Sequence, residues 1–344
     1  MLKAGLMGIG FMGRGHLDIY ERLAAEEAPV RLTAVCDIDE DKFEGEFVPG
    51  NIDVGAGDYD FSKYNLYTDI EEMLAKEDLD FVDIALPTYL HAEAAVKALD
   101  RGLDVLCEKP MARSSQECEQ MIAAAEKNSQ KLMIAQCLRF WPEYEELKKY
   151  VDSAKLGEVI EGYFYRGGAV PKWSYENWLL DEEKSGGVLL DQHVHDVDMI
   201  NWLFGPPQKV STLGRNVIAG SGYDAVSTNY IYEKQDIVVN AQDDWVLEGD
   251  YGFKMHYRVN FTEGNLIFSG GQLTVNPNEG SSFVPELPDE QGYYREIKYF
   301  VDCLLADRPI KTADPESTRN SIIIAEAEKK SADKKGQLVP VNIS

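Results

Sequence analysis

The run Gly8-Ile9-Gly10-Phe11-Met12-Gly13 stands directly behind an apolar stretch, Leu2-Lys3-Ala4-Gly5-Leu6-Met7, and ahead of a segment with helical spacing over residues 16–25. A second apolar stretch, residues 30–36, ends at Asp37, 24 residues beyond Gly13. Strand, glycine turn, helix, strand and acid in that order leave few folds open. They make the fingerprint of a dinucleotide-binding βαβ unit. One glycine forms the tight turn, the next lets the backbone approach a pyrophosphate, and the last lets helix and strand pack closely. The first helical turn offers its unpaired N–H groups to the phosphates. An ordinary strand-to-helix turn explains the glycines but leaves Asp37 without a purpose. As part of a cofactor site, Asp37 accepts hydrogen bonds from the adenosine ribose. Asp37 and Asp39 are both acidic and no Arg stands at residues 37–41. A 2′-phosphate would meet repulsion there rather than a clamp, so NAD is expected over NADP.

The pattern continues as α/β for the first third of the chain. Strands are expected at residues 81–86, 105–107 and 131–136, with helices at 68–75, 92–100 and 114–127 between and around them. The stretch 40–63 reads as a helix fragment and a polar loop. This alternation predicts a doubly wound parallel sheet. Beyond a helix at 143–151, β-rich segments dominate (159–165, 210–216, 224–232, 236–245, 253–260 and 266–269), followed by helices at 293–306 and 315–331. Their order and short turns predict a second domain with a large, mostly antiparallel sheet. The expected division is a Rossmann domain over 1–125 and a substrate-binding and oligomerisation domain over 126–344.

Charge and cysteine content narrow the partners. The 344 residues carry 60 acidic and 34 basic side chains, a formal net charge of -26. Nucleic acid and anionic membrane are poor partners for such a surface. No apolar run is long enough to span a bilayer, and an apolar strand from Leu2 leaves no room for a signal peptide. The five cysteines are scattered without C-x-x-C spacing, as in a reduced, cytoplasmic protein.

Two segments carry reactive side chains. Glu108-Lys109-Pro110 follows the strand at 105–107, where ligands gather in a doubly wound sheet. Lys109 there can bind a substrate hydroxyl or assist proton transfer, although most loop lysines are simply solvated. The second segment is Gly186-Gly187-Val188-Leu189-Leu190-Asp191-Gln192-His193-Val194-His195-Asp196-Val197-Asp198. On a strand, Asp191, His193 and His195 would share a face and suit a metal. The spacing of Val194, Val197, Ile200, Leu203 and Phe204 is helical instead. On a helix Asp191 and His195 share a face, with Asp198 beside His195, and His193 points away. No metal is therefore expected. A histidine between two carboxylates is a suitable general base; a capped, hydrogen-bonded helix start is the equally ordinary alternative.

Together these pieces resemble the Gfo/Idh/MocA family, the relatives of glucose–fructose oxidoreductase and inositol dehydrogenase. The matching residues are Gly8 to Gly13, Pro87-Thr88 with His91, Glu108-Lys109-Pro110, Arg139-Phe140 ahead of Pro142, and Asp191-x-x-x-His195 with Asp198. The likeness runs along essentially the whole chain. It implies an NAD-dependent dehydrogenase for a CH–OH group of a sugar, sugar derivative or cyclic polyol. It implies Lys109, His195 and Asp191 as the catalytic set. Cofactor contacts would fall on Gly8, Gly10, Phe11, Met12, Gly13, Asp37, Pro87, Thr88, His91, Glu108 and Lys109. Arg139, Trp173 and His193 would tune the substrate, although plain packing is the commoner fate of a Trp. A homodimer or homotetramer is the family habit. Two other classes fit the residues: an NAD-dependent glycosidase, and a cofactor-binding regulator without turnover. The second is disfavoured because Lys109 and His195 are both present.

Overall fold

In the computed structural model, residues 1–44, 50 and 59–343 are described. Part of the 40–63 stretch therefore lies outside the described residues; Glu40–Glu44 forms a short 3-10 turn. In chain order the elements are β1 (Leu2–Met7), α1 (Phe11–Ala25), β2 (Val30–Cys36), β3 (Asn65–Tyr67), α2 (Ile70–Lys76), β4 (Phe81–Ile84), α3 (His91–Leu99), β5 (Asp104–Glu108), α4 (Ser115–Asn128) and β6 (Leu132–Ala135). After these come α5 (Pro142–Ser153), β7 (Val159–Gly167), α6 (Glu182–Ser185), α7 (Gly187–Asp191), α8 (Val194–Phe204), β8 (Lys209–Arg215), β9 (Ala225–Ile231) and β10 (Val238–Asp244). The chain closes with β11 (Lys254–Phe261), β12 (Gly264–Ser269), β13 (Gln272–Pro277), α9 (Gly292–Leu305), α10 (Pro315–Asp333) and β14 (Val339–Pro340).

Two compact units emerge. One comprises Met1–Cys137, Trp173–Trp178 and Tyr293–Arg319; the other comprises Leu138–Lys172, Leu179–Gly292 and Asn320–Ser344. The first is built on a six-stranded sheet in the order β3-β2-β1-β4-β5-β6, with every pairing parallel. Its strands are short apolar runs. Leu6, Met7, Phe81, Val82, Ile84, Val105, Leu106, Met133 and Ile134 are all fully buried, as expected where helices cover both faces of a parallel sheet. Strand order 3-2-1-4-5-6 puts a topological switch between β1 and β4, where such sheets take ligands at their carboxyl ends.

The second unit holds an eight-stranded sheet, β13-β12-β11-β7-β10-β9-β8-β14. Only the β10–β7 pair is parallel, and the rest are antiparallel. One face is apolar: Tyr144, Tyr257 and Phe268 pack as an aromatic trio with centroids 5.0–5.6 Å apart. Val188, Leu189, Val226 and Trp245 form a second cluster. The α/β-then-antiparallel architecture expected from the sequence is the one observed. Three local differences have physical reasons. Helix α1 starts at Phe11 rather than near residue 16, because Gly10 closes the turn and the helix begins at once. Strand β13 was missing from the sequence reading, yet Gly270-Gly271, both at positive φ, is the two-residue turn that folds a strand back on its neighbour. Strands β3 and β14, of three and two residues, are too short to show periodicity.

Candidate functional site

The glycine turn of the first unit is built for close approach. Gly8 has φ +92°, a value L side chains rarely adopt. A Cβ at Gly13 would lie 2.0 Å from the Gly8 carbonyl oxygen, so helix α1 can sit this close to β1 only with glycine there. A Cβ at Gly10, by contrast, would meet nothing within 4 Å. Open space therefore lies beside the backbone at the start of α1, where no side chain caps the first turn. Phe11 and Met12, the first two helical residues, are partly exposed. These features fit a diphosphate held by backbone N–H groups.

Asp37 sits at the end of β2, and its Oδ2 accepts the Ile9 N–H at 2.9 Å, tying that strand to the glycine turn. The Lys42 ammonium lies 2.9 Å from both carboxylate oxygens and over the Tyr175 ring, 5.1 Å from its centroid. Lys42 is a lysine just beyond residues 37–41, where the sequence argument turns on the absence of Arg.

The loop Glu108-Lys109-Pro110 follows β5, and the Lys109–Pro110 bond is cis. Lys109 is partly exposed, whereas Glu108 is 5% exposed. Glu108 uses both carboxylate oxygens inside the unit: Oε1 lies 3.1 Å from His16 Nε2, and Oε2 accepts the Lys109 N–H at 2.9 Å. His91 opens α3 with its ring fully inside, Nδ1 2.8 Å from the Pro110 carbonyl oxygen and Nε2 2.8 Å from that of Leu86. Thr88 is buried and Pro87 partly exposed. Both His91 and Glu108 thus spend their polar atoms on the shape of the loops around Pro87 and Lys109.

In the second unit, Gly186 and Gly187 both have positive φ, and a Cβ on Gly187 would lie 2.6 Å from the Ser221 carbonyl. That tight passage leads into α7 and α8, joined through Gln192 and His193. From Gly187 to Asn201 every residue is buried except Asp191 and His195. These two are one helical turn apart, so the segment opens on a single stripe. The helical spacing expected for 191 and 195 is realised in this way.

The neighbours of this stripe are ion pairs in the interior. Arg139 lies bidentate on Asp198, Nε to Oδ2 and an Nη to Oδ1, both at 2.8 Å, with both side chains 1% exposed. Ser321 also donates to Asp198 at 2.8 Å. Arg166 pairs with Asp196 in the same two-point manner at 3.2 Å. His193 is fully buried, with Asp243 3.7 Å from Nδ1 and Glu328 3.5 Å from Nε2. Burial disfavours charge on the ring, but the Glu328 and Asp243 carboxylates outweigh it and push His193 up to about 10.

Of the expected substrate contacts, Arg139 and His193 are buried, Arg139 on Asp198 and His193 between Asp243 and Glu328. Trp173 is half-buried and belongs to the first unit. The sequence reading also missed His16, Asp83 and Glu296. Among the described residues, His16, Glu108 and Glu296 bring ligand-type atoms within 4.8 Å of one another. The signal available for His16 was its position, three residues after Gly13 on the buried face of α1.

Comparison with known proteins agrees with this picture. Residues 2–136 match the model of the GFO_IDH_MocA oxidoreductase family, NAD-binding Rossmann fold, and residues 144–267 match the GFO/IDH/MocA C-terminal domain. Among curated relatives, 2,7-anhydro-N-acetylneuraminate hydratase of Mediterraneibacter gnavus is 28% identical over 61% of this chain and 53% of its own. Inositol 2-dehydrogenase of Salmonella typhimurium is 29% identical over 60% of this chain and 56% of its own. Levoglucosan dehydrogenase of Pseudarthrobacter phenanthrenivorans is 29% identical over 66% and 58%. The matched stretch thus spans little more than half the length of these relatives. In fold, levoglucosan dehydrogenase in complex with NADH superposes with a TM-score of 0.85 at 20% identity, over 100% of both chains. An oxidoreductase from Agrobacterium radiobacter in complex with NAD+, L-tartaric acid and magnesium gives 0.82 at 19% identity, over 99% of this chain and 98% of the other.

Proposed function

The chain belongs to the GFO/IDH/MocA oxidoreductase family, and from that premise we propose that it is an NAD-dependent dehydrogenase for a CH–OH group of a sugar, a sugar derivative or a cyclic polyol. Relatives named for inositol and levoglucosan support this substrate class. One observation carries the catalytic reading: in a segment otherwise buried from Gly187 to Asn201, Asp191 and His195 alone keep an opening, one turn apart.

Bound NAD supplies the hydride acceptor, C4 of its nicotinamide ring. The protein supplies binding, orientation and proton transfer. The glycine turn receives the diphosphate, and Asp37 receives the adenosine ribose. His195 removes the proton from the reacting hydroxyl, Lys109 contacts that hydroxyl, and Asp191 holds the substrate. General-base assistance of this kind is worth about 10²- to 10⁴-fold in rate. Pro87 and Thr88 lie along the nicotinamide side, while His91 and Glu108 act by holding the loops there. We place the protein in the cytoplasm as a homodimer or homotetramer. All five cysteines are buried and free, which suits a reducing compartment, and among the described residues no helix is long and apolar enough to cross a membrane.

A second reading draws on the hydratase among the relatives. A hydratase adds or removes water with no net redox change, so an enzyme of that type returns its hydride and accumulates no NADH. An NAD-dependent glycosidase behaves likewise. Absorbance at 340 nm separates these readings, with NAD and a panel of aldoses, amino, deoxy and anhydro sugars, and inositols. NADH formation with one class of compound is the expected result. Consumption of a panel compound at constant absorbance would favour the redox-neutral reading, and NAD binding with no compound consumed would favour a regulator.

A further inference from the structure

Beneath the Lys109 loop lies a group of ionisable side chains that the reaction above does not use. His16 of α1 is fully buried, and its two ring nitrogens face two different carboxylates. Nδ1 lies 2.9 and 3.0 Å from the two oxygens of Asp83 on β4, and Nε2 lies 3.1 Å from Glu108 Oε1 on β5. Tyr20, one turn further along α1, donates its hydroxyl to Asp83 at 2.9 Å. The second oxygen of Glu108 accepts the Lys109 N–H. An unbroken chain of hydrogen bonds therefore runs Tyr20–Asp83–His16–Glu108–Lys109 within the first unit.

We propose that His16 is a positioning residue for Lys109: anchored by Asp83, its ring fixes the Glu108 carboxylate, and that carboxylate sets the main chain from which Lys109 extends. The inference rests on Lys109 acting on the substrate as described above. His91 holds the other side of the same loop through the Pro110 carbonyl, so residues 108–110 are gripped from both ends.

The geometry also assigns the charges. Asp83 accepts from Tyr20 and from Nδ1, and Glu108 accepts from Lys109 N–H and from Nε2. A carboxylate oxygen stands at each ring nitrogen, the arrangement that suits a ring donating from both, an imidazolium. Burial alone would hold His16 down, but Asp83 and then Glu108 outweigh it and raise it well above the ordinary range. Burial would raise Glu108, and the His16 hydrogen bond outweighs that and holds it below. The remaining acid, Glu296 of α9, is fully buried and neither of its oxygens has a hydrogen-bond partner. Burial and the nearby Glu108 carboxylate hold its carboxyl well above the usual range. Glu296 therefore stays neutral and leaves the imidazolium to Asp83 and Glu108. Other titratable groups beside this cluster are Cys107 of β5 and Tyr293 of α9, both pushed up by burial and hence neutral, and His91 of α3, which burial holds below the ordinary histidine range.

Two measurements on the full-length protein test this. The first needs no substrate. In protein labelled with ¹⁵N only at its five histidines, the His16 resonances, identified by their loss in His16→Gln, are expected to keep both nitrogens protonated at pH 9. A neutral His16 ring at pH 7 would overturn the proposal even in an active dehydrogenase, and a protonated one stands even if the panel of sugars is blank. A stoichiometric metal in the purified protein, displacing the Nε2 proton, would overturn it too. The second measurement is kinetic. His16→Gln is expected to lower kcat at least tenfold while the Kd for NAD changes less than threefold. Should that variant fail to fold, Glu108→Gln, whose amide oxygen still accepts the Lys109 N–H while its NH2 donates to an Nε2 that has lost its proton, is expected to keep at least tenfold more turnover than Glu108→Ala. Unchanged kcat in His16→Gln, or equal loss in the two Glu108 variants, contradicts a positioning role.

Discussion

The glycine turn of the first unit and the helix pair α7–α8 of the second both carry residues of the proposed function, yet they are built from different materials. The turn is backbone. Its glycines act by what they lack: a Cβ at Gly13 would meet the Gly8 carbonyl five residues back, and a Cβ at Gly8 would meet the Ala85 carbonyl at the end of β4. The helix pair is made of side chains whose meaning is set from far away. Asp198 is held by Arg139 and Ser321, 59 and 123 residues distant in sequence. His193 is flanked by Asp243 of β10 and Glu328 of α10. Cofactor-binding geometry that resides in local backbone can be read along the chain. A side chain's role in the interior depends on partners that only the fold brings up.

The comparison can be broken at either end. The largest effect is expected in the backbone half. Gly13→Val inserts a branched side chain where even a Cβ meets the Gly8 carbonyl at 2.0 Å, and NAD binding is expected to disappear from calorimetric titration. Retention of wild-type affinity would mean that the turn has room the contacts deny. Next comes the buried pair under the open stripe. Asp198→Ala removes the carboxylate that the Arg139 guanidinium and Ser321 bind in the interior, and chemical denaturation is expected to show a loss of about 3–5 kcal/mol, the usual cost of removing one partner of such a pair. A loss below 1 kcal/mol would show Arg139 finding water instead.

A smaller effect belongs to His193, and it depends on pH. Its folded-state pKa is raised from 6.5 to about 10, so the charged ring stabilises the fold fully below pH 6.5 and progressively less up to about 10. The gap in melting temperature between wild type and His193→Gln is therefore expected to be widest near pH 6 and to close by pH 10. A gap that stays constant would mean the buried ring does not carry the charge.

The same contrast explains what could be read from the chain in advance. The parallel sheet, the glycine turn and the open helical face of Asp191 and His195 follow from period and turn chemistry, which are properties of neighbouring residues. Arg139 and His193 are expected at the substrate from the family resemblance; the fold sets Asp198 beside one and Glu328 beside the other, and no spacing rule connects those pairs. His16 was read as an ordinary helical residue for the same reason: Asp83 and Glu108 stand on two other strands. Strand β13 had a readable signal in Gly270-Gly271, which was not used.

The central claim is that the diphosphate is held by the backbone of the glycine turn, while the proton is taken by His195 on the open stripe of α8. His195→Ala tests it most directly, with the Kd for NAD and the turnover of whichever panel compound yields NADH measured on the same preparation. The account predicts an NAD affinity within threefold of wild type and a turnover lowered at least 100-fold, the lower range for loss of a general base. Near-normal turnover, or NAD affinity lost together with it, would contradict the account.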